Sequence, residues 1–195
     1  MPLTRMDDDV IAGRTVLWRC HRTLGARVVP WNGLRHFGPL PTMRFDPQPP
    51  PAGQSEEGVL YAATDIATAL AETFQATRVI DSVGFGPHLT AWEPTRPLQL
   101  LDLTGAWALR NGASHALASA PRAVCRAWAR AVRETWPDLD GLWAPSAMTG
   151  KPAVVLFSPA VDSFPTLPSF SRPLAHPAVL AIAAQAAKTT GYTLR

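Results

Sequence analysis

The stretch Gly58–Phe74, GVLYAATDIATALAETF, changes its period partway along, and that change constrains the fold more than any other feature. Val59, Leu60 and Tyr61 follow a glycine as a short apolar, β-favouring run, which predicts a strand. Thr64 or Asp65 then offers a short side-chain oxygen to cap a helix N-terminus. Ile66, Leu70, Thr73, Phe74 and Thr77 recur at helical spacing and make one face. The chain therefore sets Tyr61 near a strand end and Glu72 on the helix that follows, and both reach one cleft if that cleft opens at the strand end. Spacing alone gives Glu72 no role. It falls off the Ile66–Leu70–Phe74 stripe, beside Asp65 and Thr68, where a glutamate is ordinarily solvated.

The surrounding chain is that of a globular protein. Its 195 residues suffice for one domain with a core, and 47% hydrophobic against 17% charged residues excludes general disorder. The 20 prolines cluster, as in long ordered loops. The net charge is +3, and lysine occurs only at Lys151 and Lys188. Such an arginine bias suits phosphate and carboxylate recognition by a planar fork of donors, although high-GC coding produces it equally well. Cys20 and Cys125 form neither a disulfide framework nor a metal pattern. Asp7, Asp8 and Asp9 stand where a signal peptide would need an apolar core, and no apolar run has the length of a membrane span. A soluble, cytoplasmic protein without membrane contact is expected.

In chain order, Met1–Gly13 reads as a loose leader and Val16–Trp18 as the first strand. Gly25–Pro39 looks irregular, and the QPPPAGQ run is a loop, since proline fits neither a helix interior nor a central strand. Strands are predicted at Leu89–Trp92, Leu98–Leu103, Leu142–Trp143 and Ala153–Phe157. Leu109–Ser119 is weakly helical, Phe164–Pro173 is extended, and Pro177–Ala187 is a terminal helix. Arg122–Trp136 is the strongest amphipathic pattern. Val124, Trp128, Ala131, Val132 and Thr135 share its apolar face, and Arg122, Arg126, Arg130 and Arg133 lie opposite as a solvated basic stripe. Strands outnumber helices and pair non-locally, so the expected class is α+β, with a central mixed or antiparallel sheet flanked by helices.

The common catalytic signatures are missing: GxxxxGK[ST], GxGxxG after a strand, HExxH and GxSxG. What remains is Arg19, Arg44, Tyr61, Glu72 and Ser146. These sit in Trp18-Arg19 after a strand, Arg44-Phe45-Asp46-Pro47, Gly58-Val59-Leu60-Tyr61-Ala62-Ala63 with Ala69-Leu70-Ala71-Glu72, and Pro145-Ser146 ahead of Val154-Val155-Leu156-Phe157. In that order and spacing, over roughly Val16–Asp162, the chain resembles the RES domain family, named for an Arg, a Glu and a Ser. One departure is Arg44-Phe45-Asp46-Pro47, where many relatives have Gly-Arg-Trp-Asn-Pro. Asp46 stands beside Arg44 and offers it a pairing partner.

The resemblance implies a single domain over 1–195 of ADP-ribosyltransferase-like fold, with a core of about 16–162 and a proline-rich extension ending in a helix. It implies a toxin that destroys cellular NAD, with water or inorganic phosphate as acceptor and no metal. The implied partner is a separate Xre-type antitoxin; a homodimer is left open, and direct nucleic-acid binding is not expected. By residue, Glu72 would hold ribose hydroxyls and favour a cationic transition state. Arg19 and Arg44 would grip the diphosphate, Tyr61 would stack on nicotinamide, and Ser146 would bond the amide, a ribose hydroxyl or the nucleophile. The rival readings are a mono-ADP-ribosyltransferase acting on a macromolecule, a nucleic-acid-binding module using the basic stripe, and an inactive member with only a binding role.

Overall fold

In a computed structural model, which describes residues 2–195, the chain forms one curled nine-stranded sheet with α-helices packed around it. The strands are β1 (Val10–Gly13), β2 (Leu17–Arg22), β3 (Arg35–Gly38), β4 (Gly53–Ala63), β5 (Val79–Ile80), β6 (Pro87–Trp92), β7 (Leu98–Asp102), β8 (Gly141–Pro145), β9 (Pro152–Phe157), β10 (Phe170–Pro173) and β11 (Thr193–Leu194). The helices are α1 (Ile66–Thr73), α2 (Trp107–Arg110), α3 (Arg122–Thr135) and α4 (Pro177–Thr190). The main sheet runs β1-β7-β8-β9-β4-β2-β6-β10, with β3 also on β4, while β5 and β11 form a separate parallel pair. Only β7–β8 is parallel within the main sheet. The class is α+β, as expected.

Period-2 alternation assigns the central strands to two cores. Leu101, Val155 and Phe157 face one cluster, which α2 and α3 cover with Trp107, Cys125, Ala129 and Val132. Leu98, Leu100, Val154 and Leu156 face the opposite cluster with Leu60 and Trp92. A third cluster packs α4, through Val179 and Ala183, against Leu70 of α1 and Leu89 of β6. Each fully buried leucine of this kind contributes about 2 kcal/mol by leaving water.

Several expectations are corrected. The leader is structured: a 3₁₀ turn at Asp7–Asp9 leads into β1, which pairs with β7 from Val10↔Leu101 to Gly13↔Leu98. The irregular stretch contains β3, and β4 begins at Gly53, six residues before the apolar run. The first half of β4 alternates polar residues, so it carries no apolar signal; its ladder with β3 makes it a strand. The weak helix at Leu109–Ser119 resolves into α2 and a 3₁₀ turn at Leu117–Ser119.

The buried face of α3 is Cys125–Ala129–Val132 with Trp128 half-buried, whereas Val124 and Thr135 are exposed. Two of its four arginines, Arg126 and Arg133, depart from the expected solvated stripe, while Arg122 is exposed as expected. Arg126 Nη1 donates to the carbonyls of Leu40, Pro41 and Met43, and Arg133 binds the Glu57 carboxylate at 2.9 Å. Arg126 thus ties α3 to the segment between β3 and β4, and Arg133 ties it to β4 itself.

Gly141 shows how closely the central strands approach. A Cβ there would stand 2.0 Å from the carbonyl oxygen of Val155 on β9. The nearest atoms all belong to the β9 backbone, so no flexible side chain is there to yield. Gly141→Ala is therefore expected to lower unfolding stability by about 3 kcal/mol, measured by urea denaturation. An unchanged midpoint would contradict this packing.

Candidate active site

The site begins with the edge of β4 that faces away from β9. That edge pairs with β3 up to Val59↔Arg35 and with β2 at Trp18↔Ala63. Between those two pairings, at Leu60–Ala62, the sheet opens into a cleft of about 780 Å³. The size lies in the range of pockets that bury most of a small ligand or cofactor. Arg19, Arg44, Tyr61, Glu72 and Ser146 all line it, so the structure brings together all five residues singled out from the sequence.

Glu72 is oriented from several sides. Asp65 caps α1, its carboxylate accepting the Thr68 N–H at 3.0 Å and the Thr68 hydroxyl at 2.7 Å. Thr68 is wholly buried and meets the Thr149 hydroxyl at 2.8 Å. The polar face Asp65–Thr68–Glu72 thus packs against the loop joining β8 to β9, which corrects the reading of Glu72 as a solvated helix residue. On that loop Ser146 is only 6% exposed. Its Oγ accepts the backbone N–H groups of Met148 at 3.1 Å and Thr149 at 3.2 Å. A hydroxyl has two acceptor sites and one proton. With both acceptor sites occupied, the proton goes to Glu72 Oε1 at 2.6 Å. Glu72 Oε2 accepts from the Gln75 amide at 3.2 Å. Among the described residues no lysine or arginine forms an ion pair with Glu72, so its negative charge is held in place without a cation.

Arginines also line the cleft. Arg19 on β2 extends Nη1 to the carbonyls of Trp31 at 2.7 Å, Pro30 at 3.2 Å and Gly33 at 3.3 Å. Burial lowers its pKa to about 10, which leaves it charged at neutral pH. Arg44 donates Nη1 to the carbonyl of Ala120 at 2.9 Å. It does not pair with Asp46, contrary to the expectation from their adjacency. Asp46 is fully buried and pairs with Arg35 at 2.6 Å, and it also accepts the Tyr61 hydroxyl at 2.8 Å and the Leu40 N–H at 2.7 Å. The aspartate therefore leaves Arg44 unneutralised and braces the wall beside it.

Tyr61 has its hydroxyl doubly used, donating to Asp46 and accepting the Phe45 N–H at 3.0 Å. Burial, reinforced by Asp46, holds its pKa well above the ordinary phenol value, so it stays neutral. Its ring remains to shape the cleft. His21 also lines the cleft; its Nε2 lies 3.0 Å from Thr90 Oγ1. Burial, with Arg19 nearby, lowers its pKa to about 4, so it too is neutral. Sequence reasoning missed Arg35, Asp46 as a brace, and Gln75. Arg35 lies in a stretch with no periodicity, and only its register opposite Val59 reveals its place. Among the described residues no group of three or more His, Cys, Asp or Glu is placed to hold a metal ion, and no helix is long and apolar enough to cross a membrane.

A split sheet whose cleft is lined by a carboxylate–serine pair and by arginines defines the protein as an α+β fold with one polar, charged pocket. Residues 16–176 match the RES domain, and the chain belongs to that family. Among solved structures it is similar to a chain in the crystal structure of the M. tuberculosis MbcT–MbcA toxin–antitoxin complex. The TM-score is 0.62 at 16% identity, over 90% of this chain and 92% of that one, a likeness of fold. No curated protein matches the chain.

Removing the brace at Asp46 leaves Arg35 half-buried without its counter-charge. Asp46→Ala should cost about 3 kcal/mol or more of stability by denaturant titration, since breaking a buried ion pair strands its partner. A loss under about 0.5 kcal/mol, the level of an ordinary surface change, would show that the wall does not depend on Asp46.

Proposed function

We propose that this protein is an NAD-degrading enzyme of toxin type, which breaks the bond between nicotinamide and ribose and passes ADP-ribose to phosphate or water. Membership of the RES domain family supports the reading. The observation that carries it is the Glu72–Ser146 pair, 2.6 Å apart, in a cleft that Arg19, Arg35 and Arg44 also line.

The chemistry asks for little else. As the C1′–N bond breaks, its electron pair leaves with nicotinamide, which departs neutral. Positive charge then grows on the ribose, as in other glycosidic cleavages. Glu72, anionic and fixed, stabilises that charge and accepts hydrogen bonds from ribose hydroxyls. Ser146 is a positioning residue in this scheme, since its proton is directed to Glu72. Arg19 and Arg44 hold the diphosphate through guanidinium nitrogens not used within the chain. The Tyr61 ring offers a stacking surface whose hydroxyl is anchored to Asp46 and Phe45. The acceptor oxygen forms the new bond to C1′: water yields ADP-ribose and releases a proton, and inorganic phosphate yields ADP-ribose 1-phosphate. A separate antitoxin would restrain such an enzyme in the cell, as expected of a toxin–antitoxin pair.

Purified protein given NAD should release nicotinamide. Release that requires phosphate marks a phosphorylase; equal release without phosphate marks a glycohydrolase. No release in either buffer from folded protein would overturn the proposal. Arg44→Ala should raise KM for NAD about tenfold, the scale of one lost hydrogen bond to a charged group. An unchanged KM and an unchanged rate would remove Arg44 from the phosphate site.

A further inference from the structure

One residue beside the pair is not accounted for by holding substrate. Gln75 lies three residues after Glu72, just past the end of α1, and lines the same cleft. Its side-chain nitrogen donates twice: to Glu72 Oε2 at 3.2 Å and to the Glu72 carbonyl at 2.9 Å. Its side-chain oxygen accepts from Arg122 Nη2, at the start of α3, at 3.4 Å. Arg122 has only donors, so it can face only the amide oxygen. That contact turns the NH₂ group of Gln75 towards Glu72.

Each carboxylate oxygen of Glu72 thus meets one neutral donor, Ser146 on Oε1 and Gln75 on Oε2. Two donors on two oxygens fix the plane of the group as well as its position. Neither carries charge. A lysine or arginine in the same place would fix the plane equally well but would neutralise the charge that a cationic transition state requires. Arg122 stands one residue further out, with the amide interposed, and contributes orientation without contacting the carboxylate.

We propose that Gln75 is a positioning residue for Glu72, held in its working orientation by Arg122, and that its neutrality keeps the Glu72 charge available to the substrate. The inference rests on the NAD-cleaving reading of the site. The simpler alternative is that Gln75 only caps the last turn of α1 through the Glu72 carbonyl. Two substitutions separate these roles. Gln75→Leu removes both hydrogen bonds. Gln75→Lys keeps a donor for the carbonyl and for the carboxylate but makes that donor a cation.

The test is steady-state nicotinamide release by wild type, Gln75→Leu, Gln75→Lys and Arg122→Ala, each with a thermal melt to confirm folding. Gln75→Leu should lose about 10-fold to 100-fold in kcat, the scale of a misaligned catalytic group, with KM for NAD within about twofold. Gln75→Lys should lose at least as much in kcat while melting like wild type. Arg122→Ala should shift kcat in the same direction by a smaller factor. If wild type is active and Gln75→Lys turns over at its rate, the inference falls while the proposed function stands. The same holds if Gln75→Leu is folded and retains full kcat. Should Gln75→Leu fail to fold, the lysine variant decides alone. If wild type itself releases no nicotinamide, the proposed function falls and this inference falls with it.

Discussion

Strand β4 has one edge free of β9 and gives it to two different strands, and the rest of the structure depends on that division. Its early residues pair with β3 and its last residue with β2. A sheet whose neighbouring strands stayed in register along this edge would close over Leu60–Ala62 and leave no cleft. Because β2 and β3 diverge, an unpaired stretch of sheet edge faces the opening, and such an edge offers backbone donors and acceptors to whatever fills it. The divergence also sets chemistry on each side. Arg19 comes from β2, Arg35 from β3, and α1 springs from the end of β4 to carry Glu72 back over the opening. The loop between β2 and β3 is tied down by Arg19, through three carbonyls of residues 30–33.

The charges of the site follow a consistent division. Asp46, without solvent exposure, is committed to Arg35, Tyr61 and the Leu40 amide, and so cannot neutralise Arg44. Among the described residues the Glu72 carboxylate is held only by Ser146 and Gln75, both neutral. One carboxylate serves the framework and the other keeps its charge for the cleft. Tyr61 and His21 are both held neutral by burial. The remaining polar groups of the cleft include arginines, whose planar donors suit oxyanions, and the Glu72 carboxylate.

Much of this was legible in the sequence, where apolar periodicity reports burial. The later half of β4, together with β7, β9 and α4, falls where runs such as Val59–Tyr61, Leu98–Leu103 and Ala153–Phe157 place it. The strands that escaped are held by their neighbours. β3 reads RHFG and the first half of β4 reads GQSEE, and neither buries enough apolar surface to leave a pattern. On α3 the expected face shares Trp128 and Val132 with the observed one, but it includes Val124 and Thr135, which are exposed, and omits the small Cys125 and Ala129, which are buried. The five site residues were found through family order and spacing, not periodicity. On a helical wheel Glu72 belongs with Asp65 and Thr68, a polar face that becomes an interior one only once the loop between β8 and β9 packs on it. Arg35 and Asp46 act through contacts between separate elements, which no local pattern encodes, and although Gln75 bonds to Glu72 only three residues away, its link to Arg122 crosses from the end of α1 to α3.

In the proposed reaction a fixed carboxylate at Glu72, with no cation paired to it, drives bond cleavage while the arginines of the cleft bind the substrate. Glu72→Gln tests it most directly, because the amide keeps the shape and loses the charge. NAD affinity by calorimetry and nicotinamide release should be measured on the same preparation. The account predicts near wild-type affinity and a rate lower by about 100-fold to 1,000-fold, the scale of removing one electrostatic contact to a transition state. A Glu72→Gln protein that binds NAD and cleaves it at the wild-type rate would contradict the account.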